Sequence, residues 1–353
     1  MKYIIYTLGC KVNQYETQAM ETVLLQRGHA PCVENETAEL VIVNTCAVTA
    51  EAERKSRQAI NRLKEENPGA VIAVSGCYSQ LSPDTAQRLG AHVVFGTGDR
   101  VKLIDAAEKA FETGEGSKAV DDPFRRRVFE ELPAGAAEGR TRALLKIQDG
   151  CVNFCTYCII PYTRGRLRSL PVEEAAKKAA ELQTEGFREL VLTGIEIASY
   201  GVDLPEKPDL AELICRISRA APELRLRLGS LEPGVITENF CRRLSEAGTV
   251  CRHFHLSLQS GCDTTLKNMN RKYDTAAFFE KTELLRKYFP GCGITCDVIV
   301  GFPGETEEHQ RQTLDFLKKV SFSDVHIFPY SRRPGTPADR MPGQIDRSVK
   351  ALR

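Results

Sequence analysis

Three cysteines, Cys151, Cys155 and Cys158, stand as C-x3-C-x2-C. Thiolates so closely spaced can grip three irons of a cubic [4Fe–4S] cluster and leave the fourth iron open to a small molecule. A structural zinc site usually takes four donors, and no histidine or further cysteine follows until Cys215. A second set is scattered: Cys10 follows YIIYTLG, Cys46 follows LVIVNT and Cys77 follows VIAVSG. Each falls just past an apolar, strand-like run, at the edge where open α/β sheets place ligands. Structural cysteines would more naturally sit inside strands, as small apolar residues. Cys32 has no such placement.

Other chemistry-bearing residues also follow apolar runs. They are Thr193-Gly194-Ile195-Glu196, Glu232 in Ser230–Pro233, Gln259-Ser260-Gly261, the run from Asp297 through Gly301 to Glu305, and Phe328-Pro329-Tyr330-Ser331. Glu196 offers a carboxylate for an ammonium group, and Glu232 a second rim carboxylate. Arg271, in a polar loop, offers a bidentate clamp for a carboxylate. His253 and His255 read as packing or strand-edge residues and not as metal ligands.

These residues need elements to hold them. In the first half, runs at 3–8, 40–43, 70–74 and 92–95 read as buried strands. Helical patterns lie between them: one begins near a capping box, Asn13-x-x-Glu16, and stops at Gly28. Others cover 50–66, ended by Asn67-Pro68, and 100–111. The alternation predicts a small α/β domain with a parallel sheet. From 113 to 140, Gly, Ala, Pro and charges, including Arg125-Arg126-Arg127, replace periodic apolar residues and read as a linker. Beyond it, strands are predicted at 143–148, 190–193, 226–229, 254–258, 294–300 and 325–328. Helices are predicted at 172–185, 210–220, 238–246, 275–288 and 306–320. Six βα units can curl into a partial parallel barrel with its chemistry at the C-terminal strand ends. The cysteine triplet follows the first of those strands.

The chain has 353 residues, net charge +1 and 13 cysteines. That length allows two domains of roughly 100–200 residues, and the neutral balance gives no global field for nucleic acid. The N-terminus, MKYIIYTLGCKVNQYETQ, lacks the long apolar run and small-residue cleavage site of a signal peptide. No stretch approaches the roughly 20 apolar residues that span a bilayer. A cytoplasmic protein with reduced thiols and no membrane contact is expected, in which cysteines serve metals or catalysis.

Taken together, Thr7–Asn13, Asn44-Thr45-Cys46, Ser75-Gly76-Cys77, the triplet with Tyr157 and Pro161, Arg164-Gly165-Arg166 and the 297–305 run resemble the radical-SAM methylthiotransferases over almost the whole chain. The opening TLGCKVNQYE and the run LTGIEIASYG are most similar to the branch acting on tRNA N6-threonylcarbamoyladenosine at position 37. The isopentenyladenosine branch typically opens with YGCQMN and the ribosomal protein S12 branch with LGCPKN. The resemblance implies an N-terminal Rossmann/flavodoxin-like methylthiotransferase domain over 1–112, the linker, and a partial (β/α)6 TIM-type radical-SAM barrel over 141–353.

It also implies two [4Fe–4S] clusters, on Cys151, Cys155 and Cys158 and on Cys10, Cys46 and Cys77. S-adenosylmethionine (SAM) would be contacted by Tyr157, Gly194, Glu196, Glu232, Gln259, Arg271, Asp297 and Gly301. By this reading the first cluster cleaves SAM reductively, and the resulting radical opens the adenine C2–H bond. The second cluster carries the methylated sulfur, and a second SAM supplies the methyl group. The partners implied are a tRNA anticodon loop, gripped in part by Arg164, Arg166 and Arg168, and a reductant such as flavodoxin or ferredoxin. A monomer is expected. Family members usually continue into a C-terminal RNA-binding TRAM module; this sequence stops at Arg353, either truncated or without the module, and weak tRNA affinity is expected in this form. Two alternatives stand beside this reading: a methylthiotransferase for another tRNA adenosine or for ribosomal protein S12, and an iron–sulfur redox sensor or cluster carrier.

Overall fold

A computed structural model describes residues 1–33, 36–133 and 141–353. The chain forms two compact units. Unit 1 comprises Met1–Lys146, Gly150–Val152 and Ile159–Arg166; unit 2 comprises Ile147–Asp149, Asn153–Cys158 and Leu167–Arg353.

Unit 1 is built on strands β1 (Lys2–Thr7), β2 (Ala30–Pro31), β3 (Leu40–Thr45), β4 (Val71–Gly76), β5 (Val93–Phe95) and β6 (Ser117–Ala119). They form one parallel sheet in the order β2-β1-β3-β4-β5-β6. Helices α1 (Lys11–Gln26), α2 (Ala50–Glu66), α3 (Cys77–Leu81), α4 (Pro83–Arg88) and α5 (Arg100–Thr113) connect the strands. Every residue of β3 and β4 is buried, which is why both read as unbroken apolar runs and not as alternating ones. Val41, Val43, Ile72 and Val74 pack with Ile60 and Leu63 of α2. Leu40, Ile42, Val71 and Ala73 enter a separate cluster with Leu103 and Ile104 of α5. Each such valine, leucine or isoleucine side chain contributes about 1.5–3 kcal/mol on burial.

Two expectations change here. Helix α1 starts at Lys11 with Cys10 as its cap and no side-chain capping bond. Asn13 and Glu16 are buried inside the helix, so no capping box forms. The edge strands β2 and β6 were not foreseen, being too short to carry a periodic signal. β6 lies in the stretch read as linker, and it pairs with β5. The part of that stretch at 134–140 lies outside the described residues.

Strand β7 (Arg142–Asp149) contributes its last three residues to unit 2. The other strands there are β8 (Arg168–Ser169), β9 (Glu189–Gly194), β10 (Arg225–Leu228), β11 (His253–Gln259), β12 (Gly293–Val300) and β13 (Asp324–Pro329). They form sheets ordered β10-β9-β7-β8 and β11-β12-β13, and lone parallel bridges tie Leu226 to Val250 and Leu231 to Leu256. Helix α6 (Ile160–Arg164) belongs to unit 1. Unit 2 carries α7 (Val172–Thr184), α8 (Leu210–Ala220), α9 (Glu238–Ala247), α10 (Asp263–Asn268), α11 (Thr275–Tyr288), α12 (Glu307–Val320) and α13 (Arg347–Leu352). The six predicted strands and five predicted helices are all present, and the βα alternation makes a partial parallel barrel. Among the described residues no helix is long and apolar enough to cross a membrane.

Candidate active site

The three scattered cysteines of unit 1 all stand at the C-terminal edge of its sheet. Cys10 caps α1 after β1, Cys46 follows β3, and Cys77 opens α3 directly after β4. Two glycines permit the approach. Gly9 has φ +102°, and a Cβ there would lie 3.0 Å from Cys46 Sγ. Gly76 has φ +103°, and its Cβ would lie 2.3 Å from the Thr45 carbonyl oxygen. Only glycine combines that φ with that contact. Asn13 Nδ2 donates to Leu8 O (2.7 Å) and Thr45 O (3.0 Å), tying the turn before Cys10 to the residue before Cys46. Thr45 Oγ1 in turn donates to Ser75 O at 2.5 Å, next to the Cys77 turn.

Cys10 is exposed, while Cys46 and Cys77 are buried. Desolvation by the surrounding protein pushes the Cys10 thiol up even so, and burial pushes Cys46 to about 12. In both, the Cys77 thiol adds to the rise and Arg164 opposes it. The three sulfurs therefore stand within electrostatic reach of one another. Among the described residues, no three His, Cys, Asp or Glu side chains are drawn into a closed metal-binding group. A soft thiolate donor set of this kind suits iron–sulfur ligation, with protons released on binding.

Of the triplet, Cys151 lies in unit 1 and Cys155 and Cys158 lie in unit 2. The Cys151 N–H donates to Gly165 O at 3.0 Å. Within unit 2 the loop is anchored by Thr156 N–H to Met269 O (3.1 Å), and Cys158 N–H donates to Cys155 O (2.9 Å). Tyr157 packs against the cluster of Met269, Phe302, Tyr330 and Ala338.

Arg271 stands directly on this loop. Its Nη1 donates to Cys155 Sγ (3.3 Å) and Nη2 to Ser257 O (3.1 Å), and Nη2 lies 3.5 Å from Glu232 Oε1. Its guanidinium sits over the Tyr273 ring. Glu196, past the end of β9, accepts from Asn153 Nδ2 (3.2 Å) and Ala198 N–H (3.2 Å). Burial and then the charge of Glu232 push its carboxyl up to about 7, against the pull of Arg271. Cys155, Glu196, Glu232 and Arg271 are thus one electrostatic neighbourhood with two carboxylates and one guanidinium.

The remaining rim residues have local roles. Gly194 ends β9, where a Cβ would meet Gln148 O at 2.8 Å. Gln259 ends β11 with φ +69°. Asp297 pairs with His255 at 3.1 Å. Gly301 has φ +71°, its N–H donates to Glu305 Oε1 (3.0 Å), and a Cβ there would collide with Lys350 of α13 at 2.4 Å.

The arginines expected to meet phosphate require correction. Arg164 is wholly buried, with Nη1 2.5 Å from Glu16 Oε1 and Nη2 2.8 Å from Asn13 Oδ1. Arg168 is buried and lies 3.5 Å from Asp149. Desolvating a guanidinium is costly, so each is held by a carboxylate and is not presented to a ligand. Arg166 alone of the three is exposed. The sequence reading also missed the centre formed by Glu16, whose carboxylate meets Arg100 (2.7 Å), Lys146 (3.2 Å) and Arg164 in the interior of unit 1. The available signal was a glutamate on the face of α1 that also carries Val12, Ala19 and Met20.

Residues 145–317 match the Radical SAM superfamily, and residues 2–97 match the uncharacterized protein family UPF0004. The chain is 43% identical to the threonylcarbamoyladenosine tRNA methylthiotransferase MtaB of Bacillus subtilis, over 98% of this chain and 77% of that protein. The chain belongs to the radical-SAM methylthiotransferase family. Another methylthiotransferase relative, the MtaB of Thermotoga maritima, is 40% identical over 99% of this chain and 79% of its own length. The tRNA-2-methylthio-N(6)-dimethylallyladenosine synthase of Carboxydothermus hydrogenoformans is 37% identical over 99% of this chain and 81% of its own. Among solved structures, the radical SAM methyltransferase TsrM of Kitasatospora setae superposes with TM-score 0.69 at 16% identity, covering 96% of this chain and 75% of that one. That likeness concerns the fold. As a radical-SAM methylthiotransferase, the protein is an enzyme that works with [4Fe–4S] chemistry and SAM.

Proposed function

We infer that this methylthiotransferase acts on tRNA, converting N6-threonylcarbamoyladenosine at position 37 to its 2-methylthio derivative in the cytoplasm. The observation that carries the substrate is the higher identity to the Bacillus MtaB, 43% against 37% for the dimethylallyladenosine synthase, each over nearly the whole chain. The TLGCKVNQYE and LTGIEIASYG stretches point the same way. None of the 13 cysteines is paired in a disulfide, which suits a reducing compartment.

In this reading Cys151, Cys155 and Cys158 hold one [4Fe–4S] cluster and Cys10, Cys46 and Cys77 the other; bound together with SAM, they supply radical generation and sulfur delivery. The chain's own residues position these groups. Glu196 and Glu232 present carboxylates to the ammonium of SAM, and Arg271 steadies the Cys155 sulfur. Gly194, Gln259, Asp297 and Gly301 shape the strand ends, and Tyr157 closes the triplet loop against its apolar cluster. An external one-electron donor such as flavodoxin or ferredoxin completes the system, with the enzyme acting as a monomer.

The test is nucleoside mass spectrometry of tRNA incubated anaerobically with the reconstituted protein, SAM and dithionite. The expected product is 2-methylthio-N6-threonylcarbamoyladenosine. Methylthiolation of N6-dimethylallyladenosine instead would transfer the enzyme to the other branch, and 5′-deoxyadenosine without any modified nucleoside would remove tRNA as substrate.

A further inference from the structure

Arg164 follows Cys158 by six positions, yet it is built into the interior of unit 1. One guanidinium nitrogen meets Glu16 Oε1 at 2.5 Å; the other meets Asn13 Oδ1 at 2.8 Å and Glu16 Oε2 at 3.2 Å. This fixes the Asn13 amide so that its Nδ2 faces the carbonyls of Leu8 and Thr45. Those carbonyls belong to the turns that carry Cys10 and Cys46. A second amide reinforces the join, as Asn44 Nδ2 donates to Asn13 O at 3.0 Å. Arg100 and Lys146 hold Glu16 from its remaining sides. Asn13 Oδ1, which accepts from Arg164 Nη2, also accepts from Cys10 Sγ at 3.8 Å, so the guanidinium stands one side chain away from that sulfur.

We propose that Arg164, acting through Asn13 and Glu16, is a positioning residue of the Cys10/Cys46/Cys77 site, setting the spacing of the Cys10 and Cys46 turns and supplying a fixed positive charge to the cluster bound there. The inference rests on the reading that these cysteines hold a cluster. A buried side chain that orients metal ligands and biases their charge typically changes metal affinity by about 10–100-fold when replaced. A positive charge held close by favours the more negative, reduced form of a cluster. Its loss should therefore move the reduction potential to more negative values.

The experiment uses the full chain with Cys151, Cys155 and Cys158 replaced by alanine, reconstituted anaerobically with iron and sulfide. Iron content, chelator resistance, the EPR spectrum of the reduced state and the reduction potential are then measured. If this parent binds no cluster, the cluster assignment itself fails. If it loads, Arg164→Met should release iron to chelator at least about tenfold more readily, and the remaining cluster should reduce at a more negative potential. Arg164→Lys, which keeps the charge without the planar fork, should return the potential toward the parent. Asn13→Asp keeps the acceptor for Arg164 but cannot donate to Leu8 O and Thr45 O, so it should lose the cluster. Circular dichroism establishes which variants fold; should Arg164→Met unfold, Asn13→Asp and Arg164→Lys decide. Parent-like iron retention and potential in folded Arg164→Met or Asn13→Asp would overturn the proposal, as would a lysine variant that folds but shows no recovery relative to methionine.

Discussion

The two cysteine sets invite separate tests at the scale of single residues. Cys155 is buried beneath the Arg271 guanidinium, whereas Cys46 lies in the other unit among the Gly9, Asn13 and Ser56 contacts. Replacing Cys155 by alanine should abolish SAM cleavage altogether. Replacing Cys46 should abolish methylthiolation while leaving some 5′-deoxyadenosine formation. Chromatography of the nucleosides after a single incubation distinguishes the two. Wild-type yields of both products from the Cys46 variant would defeat the division of labour. Arg164 and Arg168, both buried against carboxylates, show that exposure cannot be read from residue type: an arginine beside a predicted site is as readily a buried ion-pair partner as a phosphate ligand.

Among the elements, the sheet edge of unit 1 depends on sharp turns that position sulfur. The Gly76 turn between β4 and α3 has no room for a methyl group, with the Thr45 carbonyl 2.3 Å from where it would lie. Gly76→Ala should therefore destabilise the fold by at least about 2 kcal/mol, combining positive-φ strain with the clash. Thermal unfolding measures this, and a melting temperature within about one degree of wild type would show that the turn relaxes freely. The sequence announced these elements well wherever burial made a long apolar run, as in β3, β4 and the barrel strands. It was silent on β2 and β6, whose pairing is dictated by neighbouring strands more than by their own side chains. It misread Asn13 and Glu16 because a local capping pattern and a buried polar centre use the same residues. Only the tertiary placement of Arg100, Lys146 and Arg164 decides between them. The strand-end positions of Cys10, Cys46, Cys77 and Cys151 were legible, since each follows a strong strand signal, and spacing alone joins Cys155 and Cys158 to Cys151. The Arg271–Cys155 contact was not, because 116 residues separate the partners.

At the scale of the whole molecule, the buried Glu16 centre predicts a pH response. Burial alone would raise its carboxyl, but Arg100, Arg164 and Lys146 outweigh that and lower it from 4.5 to about 2. As pH falls, the unfolded chain takes up this proton first. The stabilisation is therefore complete above about pH 4.5 and is lost progressively down to about pH 2. The shift corresponds to roughly 3 kcal/mol. Denaturant titrations across that window should show a steeper acid loss in wild type than in Glu16→Gln, which starts lower because it leaves buried cations uncompensated. Equal slopes would remove Glu16 from the acid response. A second prediction follows from the segments of unit 1. A fragment of residues 1–166 should melt on the order of 10 °C above a fragment of residues 1–146, because only the former contains Arg164. Identical melting would mean that the 159–166 segment adds nothing to the unit.

Three segments in each unit mean that the chain passes between them five times, all within residues 146–167. This interleaving bears on the order of events during synthesis. Cys10, Cys46 and Cys77 leave the ribosome early, but Arg164, which holds Asn13 and Glu16 beside the Cys10 and Cys46 turns, emerges only after Cys158. A nascent chain stalled before residue 164 would hold three thiols on an unfinished frame, exposed to stray metals and oxidants. By the time that frame can close, Cys151, Cys155 and Cys158 are already translated, so all six cysteines become available for loading in the same interval.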